Sequence, residues 1–212
     1  MPRPKTLPDE DVLEKAYRLM HRQGPDALTF SNLAKESGLS ASTLVQRFTS
    51  KAELTRSTLA YAWDGLDEKT TALAARVPRT PEGAVQLLTM LSKDYGAIEA
   101  YADGLLILRE DLRDPALRAR GAKWKAALSR LLEDCFAGLQ TPPKGIGLLM
   151  AAQWQGSLLW WSFDPKGRVE DYVEQGLKSF VAAIVGAGER GTAREAALKA
   201  GPKRSRSRRS KR

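Results

Sequence analysis

The sequence predicts an all-α protein, and three observations carry that expectation. Apolar residues recur at spacings of three and four along most of the chain, the period of an amphipathic helix. No stretch alternates apolar and polar residues between turn signals, as a half-buried strand would. Hydroxyl and carboxylate residues stand ahead of the apolar runs, and Gly or Pro stands behind them, which is the punctuation of helix starts and stops.

The elements follow in order. Val12, Leu13, Ala16, Tyr17, Leu19 and Met20 make a first apolar face, with Asp9, Glu10 and Asp11 in the first turn, where carboxylates meet the positive end of the helix dipole. Gly24-Pro25 ends it. Thr29 is placed to cap a short helix from Phe30 to Ser37, closed by Gly38. Ser40 is placed to cap a second one, from Ala41 to about Phe48. Ser50-Lys51-Ala52-Glu53 has the form of a capping box, with Glu53 reaching back to the Ser50 amide. The helix it opens is expected to run to about Arg76. Further helices are expected over 82–98, 102–113, 115–138, 145–163 and 168–187. Asp114-Pro115, Pro142-Pro143 and Asp164-Pro165-Lys166-Gly167 serve as the breaks.

Composition narrows the function classes. The formal charge is +9, and residues 190–212, with ten bases and one acid, account for all of it. The rest of the chain is neutral, so a general argument from basic charge to nucleic acid fails and local features must carry it. From Lys199 onward the chain has eight positive charges and no acid. The whole tail over 190–212 cannot bury a core and is expected to be disordered, and its run from Lys199 is either a solvated appendage or a source of sequence-independent attraction to DNA. Cys135 and His21 are the only residues of their kinds, which rules out an internal disulfide and a Cys/His zinc cluster. A reduced, cytoplasmic setting fits, and the N-terminus lacks the apolar core of a secretory signal. His21 is expected to complement the C-terminal end of the first helix as a cation. Cys135 is expected to be a small core residue. The acidic groups Glu133-Asp134 and Asp64/Asp67/Glu68 read as solvated faces rather than metal ligands. No nucleophile, acid/base or phosphate-loop motif occurs, so no enzymatic activity and no cofactor are expected.

The informative motif lies over Thr29 to Phe48. Leu33 and Ala34 face inward on the first short helix, Gly38 supplies the turn and Leu39 fills the space beneath it. Leu44 and Phe48, four apart, anchor the second helix from behind. Its other face then shows Ser42, Thr43, Gln46 and Arg47, side chains of the kind that reach base edges and phosphates in a major groove. On these residues alone a merely structural helix pair is the other reading.

The order Ala16, Gly24, Thr29, Leu33-Ala34, Gly38-Leu39-Ser40, Thr43-Leu44, Phe48 and Lys51-Ala52-Glu53-Leu54 resembles the DNA-binding domain of the TetR/AcrR family of bacterial transcriptional regulators. The resemblance implies a helix-turn-helix domain over 9–55 and a helical effector-binding and dimerisation domain over 56–189, ahead of the basic tail that charge marks out over 190–212. It implies that Phe30 and Ser31 lie near the phosphate backbone, and that Ser40, Ala41 and Ser42 open the recognition helix beside the groove. It further implies that Val45, Gln46 and Arg47 project toward DNA and that Lys51 completes the contact. The family commonly has Tyr where this chain has Val45, which shifts the expected affinity onto Gln46 and Arg47.

The most apolar stretch, 145–163, is interrupted by Gln153, Gln155, Ser157 and Ser162. It is expected to be a buried helix and not a membrane span, with Gly156 permitting close approach of another helix. The last apolar stripe, Val169, Tyr172, Val173, Leu177, Phe180, Val181, Ile184 and Val185, is broad. In the family the last two long helices pair with their two-fold mates, which implies a homodimer on an inverted-repeat operator in double-stranded DNA. It also implies a small-molecule effector, with Tyr95, Tyr101, Leu105, Arg109, Trp124, Gln153, Trp154 and Trp161 as candidate pocket residues. Two other classes stay open: a helical small-molecule-binding or interaction protein without specific DNA binding, and a non-specific nucleic-acid-binding protein driven by the tail.

Overall fold

Hydroxyl caps lay out the N-terminal third of the protein. In the structure, a computed structural model that describes residues 7–200, Thr29, Ser40 and Ser50 each accept the backbone N–H three residues on, all at 3.1 Å. They open α2 (Phe30–Ser37), α3 (Ala41–Phe48) and α4 (Lys51–Ala74) behind a first helix α1 (Asp9–Gln23). Each bond satisfies one of the orphan donors of a helix start. Only half of the expected capping box forms. The Glu53 carboxylate turns outward to Arg56 at 2.6 Å, leaving the Ser50 amide on the Phe48 carbonyl.

The upper part comprises α5 (Pro81–Ser92), α6 (Ile98–Arg113), α7 (Pro115–Asp134), α8 (Ile146–Phe163) and α9 (Val169–Ala200). No strand occurs among the described residues, so the all-α class is as the sequence predicts. The apolar run expected as one helix over 82–98 is broken by a 3-10 turn at Lys93–Tyr95 and by Gly96 at φ +57°, a conformation that suits glycine. Consequently α6 starts at Ile98 rather than near 102. The Asp114-Pro115 break is also a cap: the Asp114 carboxylate accepts the Ala116 and Leu117 amides at 2.8 and 3.2 Å. The last helix continues to Ala200, past the expected end near 187, so residues 190–200, expected to belong to a disordered tail, are helical. The basic run over 201–212 lies outside the described residues.

Two apolar cores result. The lower one joins Val12, Ala16, Leu19, Met20, Leu28, Leu33, Leu44, Phe48, Leu54 and Leu59, and is closed from above by Ile107 of α6 and Leu117 of α7. The upper one is built between α5, α7, α8 and α9 around Leu88, Leu128, Leu132, Met150, Trp154 and Val173. Trp63, midway along α4, packs against both. Its indole donates to the buried Asp111 carboxylate of α6 at 3.0 Å.

Ion pairs strap α4 to α7. Arg120 of α7 holds Asp64 at 2.9 Å and Asp67 at 2.5 Å, and Arg56 of α4 holds Asp114 at 3.0 Å. Glu133 reaches across to accept the Gly147 amide at 2.7 Å, a cap for the first turn of α8 supplied by its neighbour. Two acidic groups expected as solvated faces are therefore partly structural. Gly156 has open space where a Cβ would stand, and within the chain the tight helix crossing falls at Gly147. His21 is half-buried edge-on to Tyr17, and burial lowers its pKa, which disfavours the expected cationic role. Cys135 is buried as expected, and burial raises its thiol pKa.

Candidate nucleic-acid interface

The paired helices α2 and α3 are held by a short apolar ridge. Leu33 and Leu44 are fully buried and Phe48 nearly so. Burying such side chains contributes about 1.5–3 kcal/mol each, and the three lie on the inner faces at helical spacing. Gly38 adopts φ +72° and donates to the Ala34 carbonyl at 2.9 Å, ending α2 in the left-handed conformation that lets α3 turn away at once. At the far end of α3, Thr49 sits at φ +54°, ψ −46°. The Ser50 amide bonds the Phe48 carbonyl across it. This is a γ-turn of the rare, strained hand, unusual for a β-branched residue, and it redirects the chain sharply from α3 into α4.

With its inner face committed, α3 turns Ala41, Ser42, Val45 and Gln46 to solvent. Val45 is 42% exposed. Thr43 is half-buried, and its hydroxyl and that of Ser42 each lie 2.8 Å from the Ser40 hydroxyl, so three hydroxyls cluster at the start of α3. Of the α2 positions, Ser31 is exposed, while Phe30 packs partly into the lower core. Lys51 is exposed and donates to the Asp26 carbonyl at 3.2 Å.

Arg47 departs from its expected placement. Its guanidinium donates to the Leu7 carbonyl at 2.7 Å and to Asp9 at 3.0 Å, leaving the side chain 24% exposed. The reason is its place in the last turn of α3, where the incoming chain ahead of α1 passes within reach. Nothing in the local spacing of α3 shows this, since the partners lie about forty residues upstream.

The eight pocket candidates divide. Tyr95, Tyr101, Trp124 and Trp154 come together, with ring centres 5.6 Å apart for Tyr95–Tyr101 and 6.3 Å for both Tyr95–Trp154 and Trp124–Trp154. Trp63, which the sequence reading passed over, extends the row at 5.9 Å from Trp124. The indoles of Trp124 and Trp154 donate to Thr70 and Ser92 at 3.1 and 2.8 Å. Trp161 is buried with its indole N–H unpartnered among the described residues. Gln153 is half-buried beside Ser157. Leu105 and Arg109 lie on the outer face of α6 and are exposed; Arg109 faces Glu110 at 4.0 Å. They stand apart from the aromatic row because α6 turns Tyr101, Ile107 and Asp111 inward. A cavity of about 220 Å³ opens at the end of the bundle away from α3. It is lined by Ala74, Val77, Arg79, Leu87, Leu131 and Cys135 among others.

This is a helix-turn-helix within an all-helical set of described residues, with the Ser42, Val45 and Gln46 side of α3 turned outward. Residues 12–58 match the family described as bacterial regulatory proteins, tetR family. Similar solved structures share the fold over most of the chain. A transcriptional regulator from Rhodococcus sp. Rha1 is 19% identical with a TM-score of 0.68, over 86% of this chain and 97% of that one. A protein from Saccharomonospora viridis, solved in complex with choline, is 19% identical with a TM-score of 0.64, over 80% and 93%. A member of the TetR family from Streptomyces coelicolor A3 is 20% identical with a TM-score of 0.61, over 81% and 98%. No curated protein matches the chain. Among the described residues no helix is long and apolar enough to cross a membrane.

Proposed function

We propose that the protein is a sequence-specific DNA-binding transcriptional regulator, acting as a homodimer on an inverted repeat and released by a small-molecule effector. The observation that carries this reading is the outward face of α3. Ser42, Val45 and Gln46 are exposed on a helix whose opposite side is locked by Leu44 and Phe48. Gln46 offers a paired donor and acceptor that match an adenine edge, and Val45 suits a thymine methyl. The Ser40, Ala41 and Ser42 end of α3, with Ser31 and Lys51 beside it, is suited to phosphate contacts.

The dimer is supported by a stripe along α8. Leu148, Leu149, Leu159, Trp160 and Phe163 are exposed, Trp160 and Phe163 at 67% and 74%, as is Tyr172 of α9. Large apolar side chains in one row mark an association surface. Gly156, facing open space in the middle of the row, permits two such helices to approach closely. A two-fold pair would set the recognition helices about 34–36 Å apart, one turn of DNA. The effector reading is supported by the choline bound to the S. viridis protein, by the aromatic row and the unpartnered Trp161 donor, and by the 220 Å³ cavity between α4, α5 and α7. A ligand that prefers the conformation unable to span both half-sites loses affinity on DNA by the same factor that it weakens DNA binding.

The test is footprinting on the DNA upstream of the protein's own gene, followed by competition against bulk DNA. A regulator protects one inverted repeat and prefers it by at least about a thousandfold. Equal affinity for all DNA, or none, overturns the reading. Gln46→Ala is expected to weaken the protected site by about 1–2 kcal/mol and to relax discrimination at one base pair in each half-site. Titration of all single-base variants of the site checks this, and an unchanged profile removes Gln46 from the reading face.

A further inference from the structure

We propose that the outer face of α6 is a second self-association surface, on which another copy of this chain lays its own α6 antiparallel. The surface is separate from the α8 row, since α6 packs on α1 and α7 while α8 packs on α5, α7 and α9. The pairing itself does not depend on the α8 reading; that the joined units are dimers does. Toward the cores α6 turns Tyr101, Ile107 and Asp111. Four leucines are left outside, Leu105, Leu106, Leu108 and Leu112, the last at 59% exposure. Four on one helix of sixteen residues is not the scattered surface leucine that is ordinary in a monomer. The chain ends do not supply a cover. Residues 201–212 contain no apolar side chain larger than proline, and residues 1–6 contain only Met1 besides prolines.

The spacing names the occupant. Ala102, Leu105, Arg109 and Leu112 are all exposed and follow one another at steps of three, four and three, the seam of a two-stranded helix pair. Glu99, Leu106 and Arg113, seven apart, form the row beside that seam. Reversed against itself about Leu105 and Leu106, the helix is its own complement. Leu105 and Leu106 then meet their counterparts in the second copy, Ala102 leaves room for the stem of Arg109, and Glu99 stands opposite Arg113. The charges fit because α6 carries its exposed acid in the first turn and its exposed bases near the end. A parallel pair would instead set Arg113 against Arg113 and Glu99 against Glu99. The charges are also available. Among the described residues Glu99 makes no ion pair. Arg109 and Arg113 share the Glu110 carboxylate at 4.0 and 3.7 Å, beyond hydrogen-bond length. Sixteen residues give a contact about 24 Å long. One such pair buries less than the roughly 1,200 Å² of a stable interface, so the association is weak.

The experiment is sedimentation equilibrium of the full chain, from about 1 to 300 µM, a range suited to a weak interface. The wild type is expected to pass from dimer to tetramer with a dissociation constant on the order of 10–100 µM. Leu105→Glu/Leu112→Glu is expected to weaken that step at least about tenfold, because it buries unpaired carboxylates at the seam. Both leucines are exposed, so the melting temperature should stay near that of the parent. Glu99→Arg and Arg113→Glu each set like charges opposite one another, twice per interface, and should each weaken the step about fivefold. The two together are expected to restore it to within about twofold, since every pair is then reversed and none is broken. Each change also opposes the helix dipole at its own end, so damage to α6 alone would accumulate in the double variant. Trp160→Glu/Phe163→Glu is expected to abolish the low-concentration dimer and leave the α6 step. A wild type that stays dimeric to the highest concentration overturns the proposal, as does unchanged association in Leu105→Glu/Leu112→Glu. Accumulating losses in the double charge variant overturn the antiparallel register. If the α6 variants dissociate the low-concentration dimer and the α8 variant does not, the α8 reading fails and this one stands. A monomer at every concentration sinks both.

Discussion

Gly147→Ala is expected to destabilise the protein by at least about 3 kcal/mol, at the upper end of what an overpacked interior brings. A Cβ at position 147 would stand 1.9 Å from the Ser129 carbonyl oxygen and 2.9 Å from the Glu133 amide nitrogen. Both are backbone atoms of α7, so no change of rotamer makes room and the two helices must part. Separation would also pull the Gly147 amide off the Glu133 carboxylate, now at 2.7 Å, and loosen Met150 and Trp154, which α8 contributes to the upper core. For a chain of this length the loss corresponds to a fall in melting temperature of roughly 10 °C. Gly65→Ala is the control. Its Cβ would meet nothing within 4 Å, so it is expected to gain the helix preference of alanine, up to about 1 kcal/mol. Equal melting temperatures for the two variants would contradict the account of α7 against α8.

Asp111→Asn is expected to do the opposite, and only at neutral pH and above. Asp111 is 9% exposed, and its carboxylate accepts the Trp63 indole N–H at 3.0 Å. Burial pushes its carboxyl from the ordinary 3.8 up to about 6, against the smaller downward pull of that hydrogen bond. The folded protein therefore holds this proton more tightly than the unfolded chain does. The contribution of the site to stability is most favourable below pH 4, falls as the pH rises between about 4 and 6, and is flat above. A shift of this size corresponds to roughly 3 kcal/mol at pH 8. An amide keeps an oxygen for Trp63 and carries no charge, so most of that is recovered, about 2 kcal/mol. Paired urea melts of both proteins from pH 4.5 to 8.5 isolate the effect, since carboxylates such as Asp114 and Glu170, whose pKa values are lowered, respond to acid in both. A variant no more stable than the parent at pH 8 would contradict it.

The parts of the fold that are short-range in sequence are legible there. Thr29, Ser40 and Ser50 announce three helix starts because a cap and the amide it accepts are three residues apart. Leu44 and Phe48 announce the inner face of α3 because burial follows the helical period. What stays hidden depends on partners distant in sequence. Glu53 appears destined for the Ser50 amide and is taken by Arg56. Glu133 looks like part of a solvated acidic pair and caps α8. Arg47 looks like a reader on the exposed face, until a chain segment forty residues upstream is laid beside it. The aromatic candidates fare similarly. Composition picks out Tyr95, Tyr101, Trp124 and Trp154, and the structure brings them together. It does not pick out Trp63, whose partners come from α6 and α7, and it includes Leu105 and Arg109, which α6 rotates outward.

The lower core is not sealed by its own helices. Ile107 and Leu117, from the far side of the sequence, complete it, and the boundary suggested by sequence near residue 55 falls inside the unbroken α4. Transplanting the first fifty-five residues onto a relative's body would therefore leave an apolar hole unless the recipient presents matching side chains at those two places. Chimeras that carry Ile107 and Leu117 along with the graft are the ones expected to fold, so exchange of target specificity between such proteins involves two patches, one of them more than forty residues from the graft.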